Sequence, residues 1–264
     1  MSTVGKALSL LELFSIDEPE IGLTELSRLS GFDKATTRRL LMALGEHGFV
    51  EQDVDSRMYR LGPGLTRLAR LREERLPFLQ TSLPYIRRLA EETAETVHLS
   101  EASNGSLRTV YVEHPPRANR VNVNVGEELP LHSTASGIAF LATARPAHLE
   151  AALAHRLAAF TPHTVTDPER LRSAVEEARD RGWSRSEQGY EEGVSSVGAA
   201  ILGADGFAIG TLAIAAPLVR CPEQIVADRG QAVATAAGAI TERLNGGRVA
   251  IAGRERPAGR GRRT

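Results

Sequence analysis

A single cysteine, Cys221, stands in the 264-residue chain. That excludes an intramolecular disulfide framework and a zinc site built from several thiolates. Long apolar runs are missing as well: no stretch approaches the roughly 18 residues of a membrane-spanning helix. The N-terminal MSTVGKALSLLELFSIDEPE is interrupted by acidic residues and has neither the apolar length nor the small-residue cleavage site of a secretory signal. The expectation is a cytoplasmic protein with no membrane partner. Net positive charge is also lacking, since 32 Lys and Arg face 33 Asp and Glu. A nucleic-acid binder that is basic throughout is thereby excluded, and any such function must rest on where charges sit.

Catalytic and metal signatures are absent too. His98, His114, His132 and His163 are widely spaced, with no HExxH pattern and no paired cysteines, and are expected to be structural or pocket-lining. His132 adjoins Ser133, but neighbours in a strand point to opposite faces, which works against a base–nucleophile pair. With no cofactor motif and no nucleophile–base–orienter set, the expectation is a non-enzyme with no metal and no cofactor.

What is present is a clear order of elements. Val4, Leu8 and Leu11 mark an amphipathic helix over 3–15. Asp17–Gly22 interrupts it, Thr24 is placed to cap a short helix Thr24–Leu29, and Asp33 to cap a third helix running to about His47. Strand-like runs at Gly48–Gln52 and Met58–Leu61 flank a polar tip at Asp53–Arg57, which predicts a hairpin. Helix, helix, turn, helix, hairpin is the order of a winged helix-turn-helix, expected over 1–62. A short charged linker helix follows at 63–76.

The larger remainder, 77–245, opens with a helix carrying Leu79, Leu83, Ile86 and Leu89. Strands are expected at His98–Glu101, Arg108–Glu113 and Arg120–Val125, then helices at Ser133–Ala144 and Glu169–Arg181. Paired strands Ser196–Leu202 and Ile209–Ala215 meet at Asp205-Gly206, and a final helix begins near Pro222. This mixture predicts an α+β domain. The segment 246–264 holds 6 basic residues and 1 acidic residue and is expected to be a disordered basic tail, adding DNA affinity by counterion release or serving as a solubilising end.

The third helix carries the candidate DNA chemistry. At 100° per residue, Thr37, Leu40, Leu41 and Leu44 share one side. Packing that side inward turns Ala35, Arg38 and Arg39 outward, with Lys34 and Thr36 at the N-terminal end that leads into a major groove. Arginine can pair bidentately with guanine, and lysine or threonine can hold phosphate. Arg57 and Arg60 on the hairpin are the expected groove-edge contacts. From Lys34 to Arg72 the chain holds 8 basic and 4 acidic residues, so positive charge gathers locally. Winged helices also dock proteins, so an enzyme or metabolite-binding sensor whose winged helix docks a protein is the alternative.

Three stretches resemble the IclR (isocitrate lyase regulator) family: GLTELSRLSGFDKATTRRLLMALGEHGFVEQD with YRLGPGLTRLA, GEELPLHSTASGIAFLA, and the run from Gly182-Trp183 to Arg220. The resemblance implies a GAF-like effector-binding domain, a homodimer or tetramer, and control of operator affinity by a small organic effector, often a carboxylic acid. The regulator acts as repressor or activator. By position, the resemblance places Leu131, Thr134, Ser186, Ser196, Ala213 and Ala215 in the effector cavity. Alanines stand where some acid-binding members have hydroxyls, which implies a roomier, more apolar wall and a ligand with a larger apolar or aromatic body.

Overall fold

The computed structural model describes residues 1–15, 18–75 and 77–246. The expected tail, 246–264, lies outside the described residues apart from Gly246. The chain forms two compact units, Met1–Leu76 and Pro77–Thr264.

In the first unit, helix α1 (Thr3–Leu11) is capped by Ser2, whose hydroxyl accepts the Gly5 N–H at 3.0 Å. Strand β1 (Glu20–Ile21) follows, in a segment expected only as a break. A two-residue strand carries no period to read, and β1 exists because β3 pairs with it. Helix α2 (Leu23–Ser30) begins one residue before the expected start; its N-cap is Gly22, not Thr24, and it makes no side-chain capping bond. Helix α3 (Lys34–Glu46) is capped as expected, with the Asp33 carboxylate accepting the Thr36 N–H at 2.9 Å. Strands β2 (Val50–Gln52) and β3 (Tyr59–Leu61) form the hairpin, and the small sheet has the order β1-β3-β2. Leu10, Ile21, Leu26, Leu40, Leu41, Leu44, Val50 and Tyr59 make the unit's core. Helix α4 (Pro63–Arg75) closes it.

The second unit is built on one antiparallel sheet. Helix α5 (Phe78–Thr93) leads into β4 (Thr96–Ser103) and β5 (Ser106–Glu113). After a long irregular stretch come α6 (Ala135–Thr143), α7 (Pro146–Ala154) and α8 (Pro168–Arg181). Strands β6 (Ser184–Glu187), β7 (Val194–Leu202) and β8 (Ala208–Pro217) precede the last helix, α9 (Glu223–Leu244), whose N-cap is Pro222. The sheet order is β5-β4-β8-β7-β6.

Two-residue periodicity divides this sheet into unlike faces. Val97, Leu99, Val197, Ala199, Ile201, Leu212 and Ile214 face α5 and α9 and form a large aliphatic core. The alternate positions, Thr96, His98, Ser100, Ser196, Gly198, Thr211, Ala213 and Ala215, are small or polar and face the side of α6. A second core joins α6, α7 and α8 through Leu141, Leu171, Val175 and their neighbours.

One expected strand is not formed. Residues 120–125 run without ladder partners. Of the valines in their Val/Asn alternation Val121 is buried, Val123 half-buried and Val125 exposed, and the Val121 carbonyl accepts the Thr96 hydroxyl at 2.7 Å, a side-chain bond that no ladder extends. Neither α7 nor β6 was expected. α7 buries no residue fully, though Leu149, Ala152 and Leu153 stand at i, i+3, i+4 and pack on the second core, and β6 reads SRSE with no apolar period.

Glu95, only 1% exposed, ties the unit's edges together. Its carboxylate accepts Arg220 bidentately at 2.8 and 2.7 Å and Arg229 at 3.0 Å, which joins the start of β4 to the turn after β8 and to α9. Removing one member of a buried charge cluster strands the others. Glu95→Gln should therefore lower the unfolding free energy by about 3–5 kcal/mol, read as a fall in the urea midpoint at unchanged slope. A loss below about 1 kcal/mol, the range of exposed pairs, would contradict this role.

Candidate functional site

Both ends of the chemistry begin with helix N-termini. On α3, Thr37, Leu40, Leu41 and Leu44 are buried, and Lys34, Ala35, Arg38 and Arg39 are exposed. Thr36 is half-buried and donates its N–H to Asp33, whose carboxyl is held below the usual range chiefly by that bond. Arg38 shares a groove with Arg57, Gln52 and Ser56 of the wing and with Gly22–Thr24 at the start of α2. Arg39 lies with Ala35, Met42 and Glu46 on the neighbouring surface. Thr24 thus stands at the groove, as a first-turn residue and not as the expected cap.

The wing tip is held by its own turn. Asp53 accepts from Asp55 N–H, Ser56 N–H and the Ser56 hydroxyl at 3.1, 2.8 and 2.9 Å. These bonds, those of Ser56 foremost, keep its carboxyl ionised to lower pH than usual. Arg57 sits at φ 60, the left-handed region, and projects into solvent. Among the described residues Lys34, Arg38, Arg39 and Arg57 enter no ion pair. Arg60 differs: it lies between Glu51 at 3.3 Å and Glu20 at 3.6 Å on the strands flanking β3.

In the second unit the small-residue face of the sheet, the N-terminus of α6, the 121–129 segment and the 186–191 turn enclose a cavity of about 490 Å³. Thr134 caps α6. Its hydroxyl accepts the Gly137 N–H at 3.0 Å and donates to the Pro130 carbonyl at 2.9 Å. The N–H groups of Ala135 and Ser136, in the first turn, have no partner within the helix. Two glycines permit this closeness. A Cβ on Gly137 would fall 2.4 Å from the Leu131 Cα, and one on Gly198 would fall 3.1 Å from the Ala135 carbonyl.

Around that turn lie unpartnered polar atoms. The Ser133 hydroxyl, on a residue 2% exposed, and Nδ1 of His98, 6% exposed, have no hydrogen-bond partner. His98 Nε2 meets the Ser136 hydroxyl at 3.2 Å. Burial pushes the His98 pKa down to about 4, so the ring is neutral at pH 7. Ser186 donates to the Ser133 carbonyl at 2.6 Å. At the outer end, Tyr190 donates to Glu127 Oε1 at 2.9 Å and its ring meets Phe160 edge-on at 5.0 Å.

Of the expected cavity residues, Thr134, Ser186, Ser196 and Ala215 line it. Leu131 and Ala213 do not. Ala213 pairs across the ladder with Gly198 and His98 and so lies beneath the first turn of α6, and the Leu131 side chain joins the core around α6 and α8. Sequence reasoning did not place Phe160, Tyr190 or Glu127 at the cavity, because they sit on irregular segments with no period. His98, expected from the sequence to be structural or pocket-lining, lines the cavity. Among the described residues no three His, Cys, Asp or Glu gather as a metal site, and no helix is long and apolar enough to cross a membrane.

A winged helix followed by a unit with an enclosed polar-ended cavity defines a ligand-binding transcription regulator. Residues 3–54 match the IclR helix-turn-helix domain and residues 73–242 the bacterial transcriptional regulator IclR C-terminal domain. The chain is 30% identical over 250 residues to the glycerol operon regulatory protein of Streptomyces coelicolor, covering 94% of this chain and 98% of that one. An IclR transcriptional regulator from Silicibacter is 42% identical with a TM-score of 0.76, covering 92% of this chain and 96% of that one. An IclR homologue from Microbacterium hydrocarbonoxydans, solved with 4-hydroxybenzoate, shares the fold at 24% identity and a TM-score of 0.77, covering 93% of this chain and all of that one. The chain belongs to the IclR family of transcriptional regulators, with an N-terminal DNA-binding domain and a C-terminal ligand-binding domain.

Because folding depresses the His98 pKa from 6.5 to about 4, the unfolded chain binds a proton there that the folded chain refuses. This stability is fully present above pH 6.5 and is lost as pH falls toward 4. The loss amounts to about 3 kcal/mol, and His98→Gln should remove it. Parallel pH profiles for wild type and variant in urea unfolding over that window would show that His98 is not held neutral.

Proposed function

We propose that this regulator binds an operator as a homodimer or tetramer, reading bases with α3 and gripping phosphate with the wing, and that an organic acid in the second unit's cavity controls this binding. It acts in the cytoplasm as a repressor or an activator, according to where its operator lies, and no catalytic step is assigned to it. The observation that carries the DNA reading is the set of unpaired cations, Lys34, Arg38, Arg39 and Arg57, on an exposed face whose opposite side is closed by leucines. In this reading Ala35, Arg38 and Arg39 face base edges, and Lys34 and Thr36 meet phosphate at the helix start. Thr24 adds a phosphate contact from α2. Arg60 contributes less, since Glu20 and Glu51 already hold it.

The effector reading rests on the first turn of α6. Its free N–H groups, the unpartnered Ser133 hydroxyl and the neutral His98 ring suit a carboxylate. The 4-hydroxybenzoate bound by the Microbacterium homologue supports an acid of that size, and Ala215 keeps part of the wall apolar. We take 1–62 as the DNA-binding part, 63–76 as linker helix and 77–245 as the effector and oligomerisation part. Leu68 and Leu71, exposed on α4, are consistent with contacts between copies.

The test is a binding titration against DNA flanking the regulator's own gene. Arg39→Ala should weaken specific binding by at least about tenfold, the value of one good base contact, with an unchanged melting curve. Arg57→Ala should weaken binding evenly across sequences and reduce the salt slope by about 1. Unaltered affinity for Arg39→Ala at physiological salt would remove α3 from base reading.

A further inference from the structure

We infer that the cavity selects an acid bearing a hydroxyl or amino group at the end remote from its carboxylate, and that the Glu127 carboxylate is the acceptor that reads this donor. This rests on the acid-binding reading of the same cavity.

Burial gives the cavity a direction. Ser133, Ser136 and His98 form an inner end that is almost wholly buried. Glu127 and Tyr190 are half-buried at the outer end, beside Phe160, which is 45% exposed, and the exposed Glu191. The inner end offers donors, namely the first-turn N–H groups of α6 and the Ser133 hydroxyl. The outer end offers carboxylates. An acid seated by its carboxylate therefore points its far end at an acceptor.

Glu127 has acceptor capacity to spare. Tyr190 uses Oε1 at 2.9 Å, and the one contact of Oε2 is the Asn124 N–H at 3.4 Å, long for a hydrogen bond. A carboxylate can accept about four bonds. A ligand with an apolar far end would cover this charge without satisfying it, which costs free energy. A dicarboxylate would set a second anion against Glu127 and Glu191. A hydroxyl or amine completes the set. The Phe160 and Tyr190 rings, 5.0 Å apart and inclined at 72°, border the same region and suit a flat body between the two ends. A site built to pair a donor rejects the analogue that lacks it more strongly than an apolar pocket rejects a missing methylene.

The experiment is calorimetric titration of the full chain with benzoate, 3-hydroxybenzoate, 4-hydroxybenzoate, 4-aminobenzoate and terephthalate. At least one hydroxy or amino acid should bind about tenfold tighter than benzoate, the worth of one charge-assisted bond, and terephthalate should bind more weakly than benzoate. Glu127→Ala should bring the donor-bearing acids level with benzoate, weakening them and tightening benzoate, which no longer covers an unsatisfied carboxylate. Tyr190→Phe, which keeps the ring and frees Glu127 further, should retain the preference. Equal affinities across the wild-type series would overturn the inference and leave acid binding intact, and no binding of any acid would overturn both. A preference that survives Glu127→Ala would remove Glu127 from its role. If Glu127→Ala fails to fold, the wild-type series decides alone.

Discussion

Helix α6 lies against the sheet at backbone contact distance, and the second unit is organised around that approach. A Cβ on Gly198 would crowd the first turn at 3.1 Å and push it slightly off the sheet, and the segment before the helix could not double back if Gly137 carried a side chain. Ala213 is small for the same reason, since it shares this floor. The sheet therefore spends its bulky residues on the α5/α9 side, where Leu99, Ile201, Leu212 and Ile214 form the main core. On the other side the small residues leave space beyond the end of α6, and that space is the cavity. Packing and ligand binding are two results of one alternation along β4, β7 and β8.

The first unit obeys a different economy of charge. Its cations are not numerous, yet those on α3 and at the wing tip are left without partners, whereas Arg60 and Arg28 are neutralised by nearby glutamates. Field strength at a surface depends on which charges are uncompensated more than on their sum. Residues 1–75 hold 11 Lys and Arg against 12 Asp and Glu, yet such a domain can thus present a positive face. The wing contributes by geometry as well. The bonds Asp53 makes with its own turn hold Arg57 in a backbone conformation that a side-chain-bearing residue adopts only under constraint.

Much of this was legible in the sequence where a period was long enough to carry it. The leucines of α3 fixed its buried side by spacing alone, and Asp33 marked its start. The strands flanking Asp205-Gly206 announced themselves by composition and turn chemistry. Short or one-sided elements escaped: β1 has two residues, α7 buries none of its residues fully, and 120–125 alternates without a partner strand. At the cavity, residues on regular elements such as Ser196 and Ala215 could be placed by position. Glu127, Phe160 and Tyr190 could not, because their neighbourhood is created by hydrogen bonds between distant loops, such as Thr161 to Gln188 and Thr164 to Gly189. Ala213 lies outside the cavity because α6 covers that part of the floor, and Leu131 because its side chain packs into the core around α6 and α8.

Helix α6 also has no outward side. Residues from Ala135 through Ala142 are all buried, so the helix is a rod enclosed between the sheet and α8. It spans about 13 Å, with the cavity at one end. Near the other end the Ala142 carbonyl is grasped by Arg179 of α8 at 3.0 Å. A rod without free surface cannot absorb a displacement by fraying or bending into solvent. Its capped end borders the ligand chamber and its far end is held by α8, so one enclosed helix joins the two.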